Sequence, residues 1–157
     1  MLSLTPLQPA DLDAVQALDL ECFAGDAFAV RWWHKALEGQ GAAAWLAREG
    51  DTLLGYCLFS RVLDEAELLR IACAPAARQR GIALALLNHA MTQLEQQGTR
   101  QLFLEVRASN LAAQQLYHRA GWHETGRRKD YYPLEVGRED ALLFGCERPG
   151  DAGQLNR

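Results

Sequence analysis

The sequence predicts a mixed α/β protein built on one central sheet. Three observations carry this: an early pair of strand-like runs joined by a tight turn, a strand–helix–strand–helix alternation in the middle, and a second pair of strand-like runs near the end. Hairpins pair antiparallel, whereas a strand–helix–strand unit lays its strands parallel, so the sheet combines both kinds of ladder. At 157 residues the chain is one domain's worth, long enough for a sizeable core.

Leu2 to Thr5 is a short first strand. Pro9-Ala10-Asp11 reads as a helix start, with proline early and an acid in the first turn, and Leu12, Val15, Leu18 and Cys22 follow at helical spacing. A second helical piece covers Val30 to Leu37. Ala43 to Arg48 and Thr52 to Val62 form the first hairpin around Glu49-Gly50-Asp51. Glu67 to Cys73 is a third strand of this region, stopped by Pro75. After Gly81 a helix carries Ala83, Leu87, Ala90, Met91 and Leu94 on one face and ends before Gly98. Gln101 to Val106 is a compact strand. Asn110 to Ala120 is a helix capped by Asn110 and closed by Gly121. Trp122 to Tyr132 and Asp140 to Cys146 are strands around the loop Pro133 to Glu139. The domain is expected to end at residue 147, with 148–157 a disordered polar tail.

Composition narrows the function. The net charge of −4 offers no general basic field for nucleic acid. All cationic residues but Lys35 and Lys129 are arginines, and they are scattered rather than clustered. Cys22, Cys57, Cys73 and Cys146 lie far apart, without CxxC or Cys/His spacing for a metal or a disulfide framework. Met1 to Ala10 lacks the form of a signal peptide. No run reaches the roughly 20 apolar residues of a membrane span. The expectation is a reduced, cytoplasmic protein without metal or membrane contact.

The segment Arg78-Gln79-Arg80-Gly81-Ile82-Ala83 lies between a strand end and a helix start. The first turn of a helix has free N–H groups and the positive end of the dipole, a seat for phosphate. Gly81 has no side chain to bar a diphosphate, Ala83 has a small one, and Arg78 and Arg80 add cations. Alone, such a string also fits a plain helix N-terminus. The G-x-x-x-x-G-K-[ST] and G-x-G-x-x-G patterns are absent.

A second set of motifs follows: Leu104-Glu105-Val106-Arg107-Ala108-Ser109-Asn110, Leu116-Tyr117, Tyr131-Tyr132-Pro133 and Gly137-Arg138-Glu139-Asp140-Ala141. With these the sequence resembles the GNAT superfamily of acetyl-CoA-dependent N-acetyltransferases, and within it the enzymes that modify an N-terminal alanine of ribosomal proteins. The likeness runs to about Glu147, although the N-terminal third shares only the pattern. It implies the GNAT fold: a central, mixed, mostly antiparallel twisted sheet of about six or seven strands flanked by about four helices. It implies that pantetheine pairs with the backbone of Ile71, Ala72 and Cys73. The pyrophosphate is then expected on the amides of Gln79, Arg80, Gly81, Ile82, Ala83 and Leu84, with Asn110 near the pantetheine. It further implies an acceptor that is a protein N-terminus, with a small-subunit ribosomal protein the first candidate and no direct nucleic-acid contact; acetylation of a small-molecule amine, or non-catalytic acyl-CoA binding, is the alternative.

An amine attacking a thioester must be neutral, near the carbonyl, and served by a donor for the departing thiolate. Glu105, a carboxylate at the end of an apolar strand, is the candidate base; a salt bridge to Arg107 or another arginine is the alternative. Tyr117, seven residues after Asn110 and so on the same helix face, is the candidate acid; a core tyrosine is the alternative. Tyr131 and Tyr132 are candidate grips on the acceptor backbone. Glu135 and Asp140 read as solvated surface, with steering of a basic or free-amine substrate as the alternative. Cys73 reads better as a small core residue than as a nucleophile, the histidines form no cluster, and Trp32-Trp33 reads as helix packing.

Overall fold

The computed structural model describes residues 1–23, 30–134 and 136–150. Its strands are β1 (Leu2–Pro6), β2 (Ala42–Glu49), β3 (Thr52–Val62), β4 (Glu65–Cys73), β5 (Gln101–Arg107), β6 (His123–Pro133) and β7 (Arg138–Glu147), and its helices are α1 (Leu12–Cys22), α2 (Val30–Glu38), α3 (Ile82–Gln96) and α4 (Leu111–Arg119). The strands form one sheet in the order β1-β2-β3-β4-β5-β7-β6. Every neighbouring pair is antiparallel except β4–β5. The expected mixed, mostly antiparallel sheet is therefore present.

Pro9 begins a single 3-10 turn, Pro9–Asp11, rather than the α-helix itself, which starts at Leu12. Asp11 explains the break: its carboxylate accepts from the Gln8 N–H at 2.8 Å and pairs with Arg48 of β2, pinning the turn to the sheet. The buried face of α3 is Ile82, Leu86, Leu87, Ala90, Met91 and Leu94. Ala83, expected in that stripe, is only half-buried. It belongs to the neighbouring face, which borders the groove described below.

Two cores lie on opposite faces of the sheet. On one, α3 and α4 cover Cys57, Phe59, Leu68, Leu102, Leu104 and Phe144. On the other, α1 and α2 cover Leu46, Tyr56, Leu58 and Ala72. Trp33 is fully buried there and meets the Tyr56 ring edge-on at 5.2 Å, so packing accounts for it. The end of the domain is tied down further than expected. Arg148 pairs with Glu95 at 2.8 Å and the Gly150 N–H donates to the same carboxylate at 2.9 Å; residues 151–157 lie outside the described part.

Two departures from regular pairing shape the site. In β3–β4, Leu58 faces Arg70 while Phe59 faces Leu68, which leaves Leu69 as the extra residue of a bulge. A bulge shifts the alternation by one, so Glu67 before it and Arg70 after it share the α1 face. Second, the parallel ladder of β4 with β5 covers only Glu65–Glu67 against Gln101–Phe103. Beyond it the two strands part, and the rest of β4 has an unpaired edge.

Candidate active site

The fork between β4 and β5 opens into a groove of about 1040 Å³. Its lining includes Ile71, Ala72 and Cys73 from β4, Gln79, Gly81, Ile82, Ala83 and Leu84 at the start of α3, Glu105 from β5, Asn110 and Tyr117 from α4, and Tyr132 from β6. Nearly all the residues singled out in the sequence thus meet along one surface, although they come from five segments.

The loop before α3 is built to present amides. Gln79 and Gly81 both have left-handed backbone, with φ of 64° and 75°, and alternating handedness of this kind turns successive N–H groups toward one concavity. Gly81 is the N-cap of α3 and supplies no capping side chain. The N–H groups of Ile82, Ala83 and Leu84 therefore have no helical acceptor. An ideal Cβ on Gly81 meets no protein atom within 4 Å, so the left-handed φ, which glycine adopts without strain, and not protein packing, favours glycine there. Arg78 lines the groove, and its Nε donates to the Cys73 carbonyl at 3.3 Å. The side chain of Arg80 does not reach the groove lining: it turns to Glu49 of β2 at 3.0 Å, leaving only its backbone for a phosphate.

Asn110 caps α4, its Oδ1 accepting from the Ala113 N–H at 3.1 Å, which leaves its NH2 group for a ligand. Gln114 holds the turn from β5 into α4 by donating to the carbonyls of Arg107 and Ala108. Tyr117, on the same face two turns along, is 7% exposed and packs against Trp122 and Phe144, with ring centroids at 5.9 and 6.0 Å. Its hydroxyl makes no hydrogen bond among the described residues. Burial, with a smaller contribution from Tyr132, pushes its pKa up to about 12, so it is a protonated donor at neutral pH.

Glu105 stands on the opposite wall. The alternative of a salt bridge to Arg107 or another arginine is met by Arg128, whose Nε lies 3.3 Å from Glu105 Oε1, while Arg107 pairs with Glu139 at 3.3 Å. Glu139 also accepts from the Ser109 N–H, and these bonds hold its carboxyl below the usual range. Tyr132 contributes to the groove, under the Arg107 guanidinium at 4.4 Å. Desolvation and the nearby Glu105 charge raise its pKa. Tyr131 is not in the lining. It is 44% exposed, with its ring edge-on to Tyr132 at 5.1 Å.

Asp140 does not face the groove. Its carboxylate accepts from the Asp130 N–H at 3.0 Å and from Arg127 at 2.9 Å, closing the β6 bulge in which Lys129, Asp130 and Tyr131 stand opposite a single residue. That bulge aims Tyr132 into the groove, and Asp140 acts by building it. Glu135 lies outside the described residues. The thiol of Cys73 is pushed up by burial, against the pull of Arg78, which suits a spectator and not a nucleophile. Among the described residues no three His, Cys, Asp or Glu side chains group as a metal site, and no helix is long and apolar enough to cross a membrane. Cys22, Phe23, Leu69 and Arg70 also line the groove; they went unrecognised because no local motif marks them.

An unpaired strand edge beside free helix amides, with a carboxylate and a protonated phenol across the gap, suits a pantetheine thioester and an amine. The family model of the Acetyltransferase (GNAT) family matches residues 12–122, and the chain belongs to that family. It is an acetyl-CoA-dependent N-acetyltransferase. It is similar to the [ribosomal protein bS18]-alanine N-acetyltransferase of Escherichia coli strain K12, with 34% identity over 147 residues covering 92% of this chain and 96% of that one. The crystal structure of the ribosomal-protein-S18-alanine N-acetyltransferase from Escherichia coli superposes with a TM-score of 0.82 at 31% identity, over 94% of each chain. Arabidopsis thaliana NAA60 in complex with acetyl-CoA gives 0.80 at 20% identity, over 96% of this chain and 100% of that one, a likeness of fold alone.

Proposed function

We propose that this enzyme acetylates the N-terminal amine of a protein, alanine first, and that a small-subunit ribosomal protein is its acceptor. The observation that carries this reading is the match to the Escherichia coli enzyme across nearly the whole of both chains. Because 92% of this chain is covered, the likeness extends beyond the donor half of the fold, which unrelated acceptors share. A cytoplasmic location fits such an acceptor.

In this reading the backbone of Ile71, Ala72 and Cys73 holds pantetheine as an added strand. The amides of Gln79, Arg80, Gly81, Ile82, Ala83 and Leu84 hold the pyrophosphate, and Asn110 donates to the pantetheine arm. Tyr132 contacts the first residues of the acceptor, with Tyr131 supporting its ring. A peptide α-amine has a pKa of about 8, so a substantial part arrives as ammonium. Glu105 takes its proton, directly or through water, and the free amine attacks the thioester carbon. The C–S bond breaks, the sulfur takes a proton from the Tyr117 hydroxyl, and the proton still in excess on the new amide nitrogen leaves to water, from which Tyr117 regains its own. Holding both reactants in one groove supplies most of the acceleration.

The test is incubation with acetyl-CoA and peptides that differ in their N-terminal residue, read by mass spectrometry. One acetyl on the α-amine of the alanine peptides, sparing lysine side chains, is the expected result. Acetylation of small polyamines in preference to every peptide overturns it.

A further inference from the structure

Where β4 and β5 part, the face that carries Glu105 gathers two more charged side chains. Glu67 is the last β4 residue in the ladder, opposite Phe103, and Phe103 and Glu105 are alternate residues of one strand on one face. Arg128 reaches that face from β6, where it pairs through Ala141 of β7 with the level of Arg107. Arg128 is held on one side by Glu105, Nε to Oε1 3.3 Å, and on another by the Tyr131 ring, 5.3 Å from its Cζ. Glu67 has no ion pair of its own among the described residues. Yet its carboxyl is set among the same charges: desolvation and the charge of Glu105 raise its pKa, and Arg128 lowers it. The other groups on this side of Glu105 are Tyr132, Arg70, held by Asp19 at 2.8 Å, and Arg107, held by Glu139.

An arginine whose one carboxylate partner is also the base poses a difficulty. Each time the base accepts a proton the ion pair is lost, and that loss opposes the proton transfer. A second carboxylate on the same face, one strand over from Glu105 and in the field of Arg128, removes the difficulty. We propose that Glu67 is a positioning residue for acetyl transfer, sharing Arg128 with Glu105 and holding the guanidinium while Glu105 carries the proton of the acceptor amine. The N–H bond of the ammonium breaks and the proton moves to a Glu105 oxygen. Arg128 then pairs with Glu67, and when Glu105 releases its proton to solvent the guanidinium returns. Neither Glu67 nor Arg128 changes its covalent state. This rests on the reading of Glu105 as base.

The experiment is a double-mutant cycle of Glu67→Gln and Arg128→Gln, with kcat and kcat/KM followed from pH 5 to 9. Because Arg128 is half exposed, the expected effect is modest, a fall in kcat of about three- to tenfold for Glu67→Gln. KM for acetyl-CoA stays unchanged, and the acid limb of kcat/KM moves to lower pH because one negative charge near the base is gone. Glu67→Asp restores part of the loss. In the Arg128→Gln background the Glu67→Gln change no longer alters kcat. An equal effect in both backgrounds, or a parental kcat and pH profile, overturns the proposal. Glu105→Gln measured alongside separates the two readings. If it keeps the parental kcat and acid limb, the base assignment itself fails. If it abolishes them while Glu67→Gln changes nothing, only the role of Glu67 fails.

Discussion

Tyr117→Phe isolates one oxygen atom. The ring is fixed by Trp122 and Phe144 at 5.9 and 6.0 Å, and phenylalanine keeps those contacts. The lost hydroxyl has no protein partner among the described residues, so folding forfeits no internal hydrogen bond, and the melting temperature is expected to stay within about 2 °C. The catalytic cost follows from the acidities. Burial places the phenol at about 12, whereas a free thiol sits near 8.5. Complete proton transfer from phenol to a free thiolate is thus uphill by roughly 3.5 units, about 5 kcal/mol. In the donor role proposed for it, the hydroxyl therefore helps as a charge-assisted hydrogen bond to the sulfur while the C–S bond lengthens, with the proton following late. Such a bond contributes about 1.5–3 kcal/mol, which corresponds to a fall in kcat of roughly ten- to a hundredfold. The assay is steady-state release of the coenzyme thiol, with binding of acetyl-CoA measured separately and expected to change little. With a donor at about 12, the parental kcat should also show no fall from Tyr117 ionisation below pH 10. A kcat within twofold of the parent refutes the donor role, and a melting temperature lowered by about 5 °C or more shows that the hydroxyl was structural.

Further outcomes are expected elsewhere. Glu105→Gln should lower kcat by about 10²-fold or more at neutral pH and leave acetyl-CoA binding intact by calorimetry. Gly81→Val should abolish acetyl-CoA binding, because a branched side chain in left-handed backbone fills the approach to the α3 amides; titration calorimetry reads it directly. Gly55→Ala places a Cβ 2.7 Å from the Ala72 carbonyl and should destabilise the fold by about 1–3 kcal/mol in urea unfolding, with loss of donor affinity because Ala72 lies on the groove. Asp140→Ala should raise the acceptor KM more than that of acetyl-CoA, since it unties the bulge that aims Tyr132.

Most of the fold is legible because the chain punctuates itself. Gly50, Pro75, Gly98 and Gly121 each end a periodic run, and the elements between them fall within a few residues of their predicted limits. The loop before α3 is legible for the same reason: a helix start with glycine is a local feature. The bulge at Leu69 is not, because an extra residue shows only against the partner strand, and Glu67 to Cys73 reads as an ordinary strand. The sorting of charges is equally hidden. Arg80 leaves for Glu49, Arg107 for Glu139, and Arg128 reaches Glu105 from 23 positions away; each choice depends on which strands end up adjacent. Asp140 reads in sequence as a surface carboxylate, because its bond to the Asp130 amide depends on the β6 bulge.

The parting of β4 from β5 has a bearing on the enzyme's persistence as well as its chemistry. A sheet with an internal gap is incomplete as a folded object, and a donor bound as proposed, along the β4 edge, would close its ladder. Anything that binds only the folded state stabilises it by RT ln(1 + [L]/Kd), about 2.7 kcal/mol at a hundredfold excess over Kd. Protection against unfolding and proteolysis is then expected to rise with the concentration of the coenzyme, acetylated or free, since both carry the pantetheine and pyrophosphate that would fill the gap.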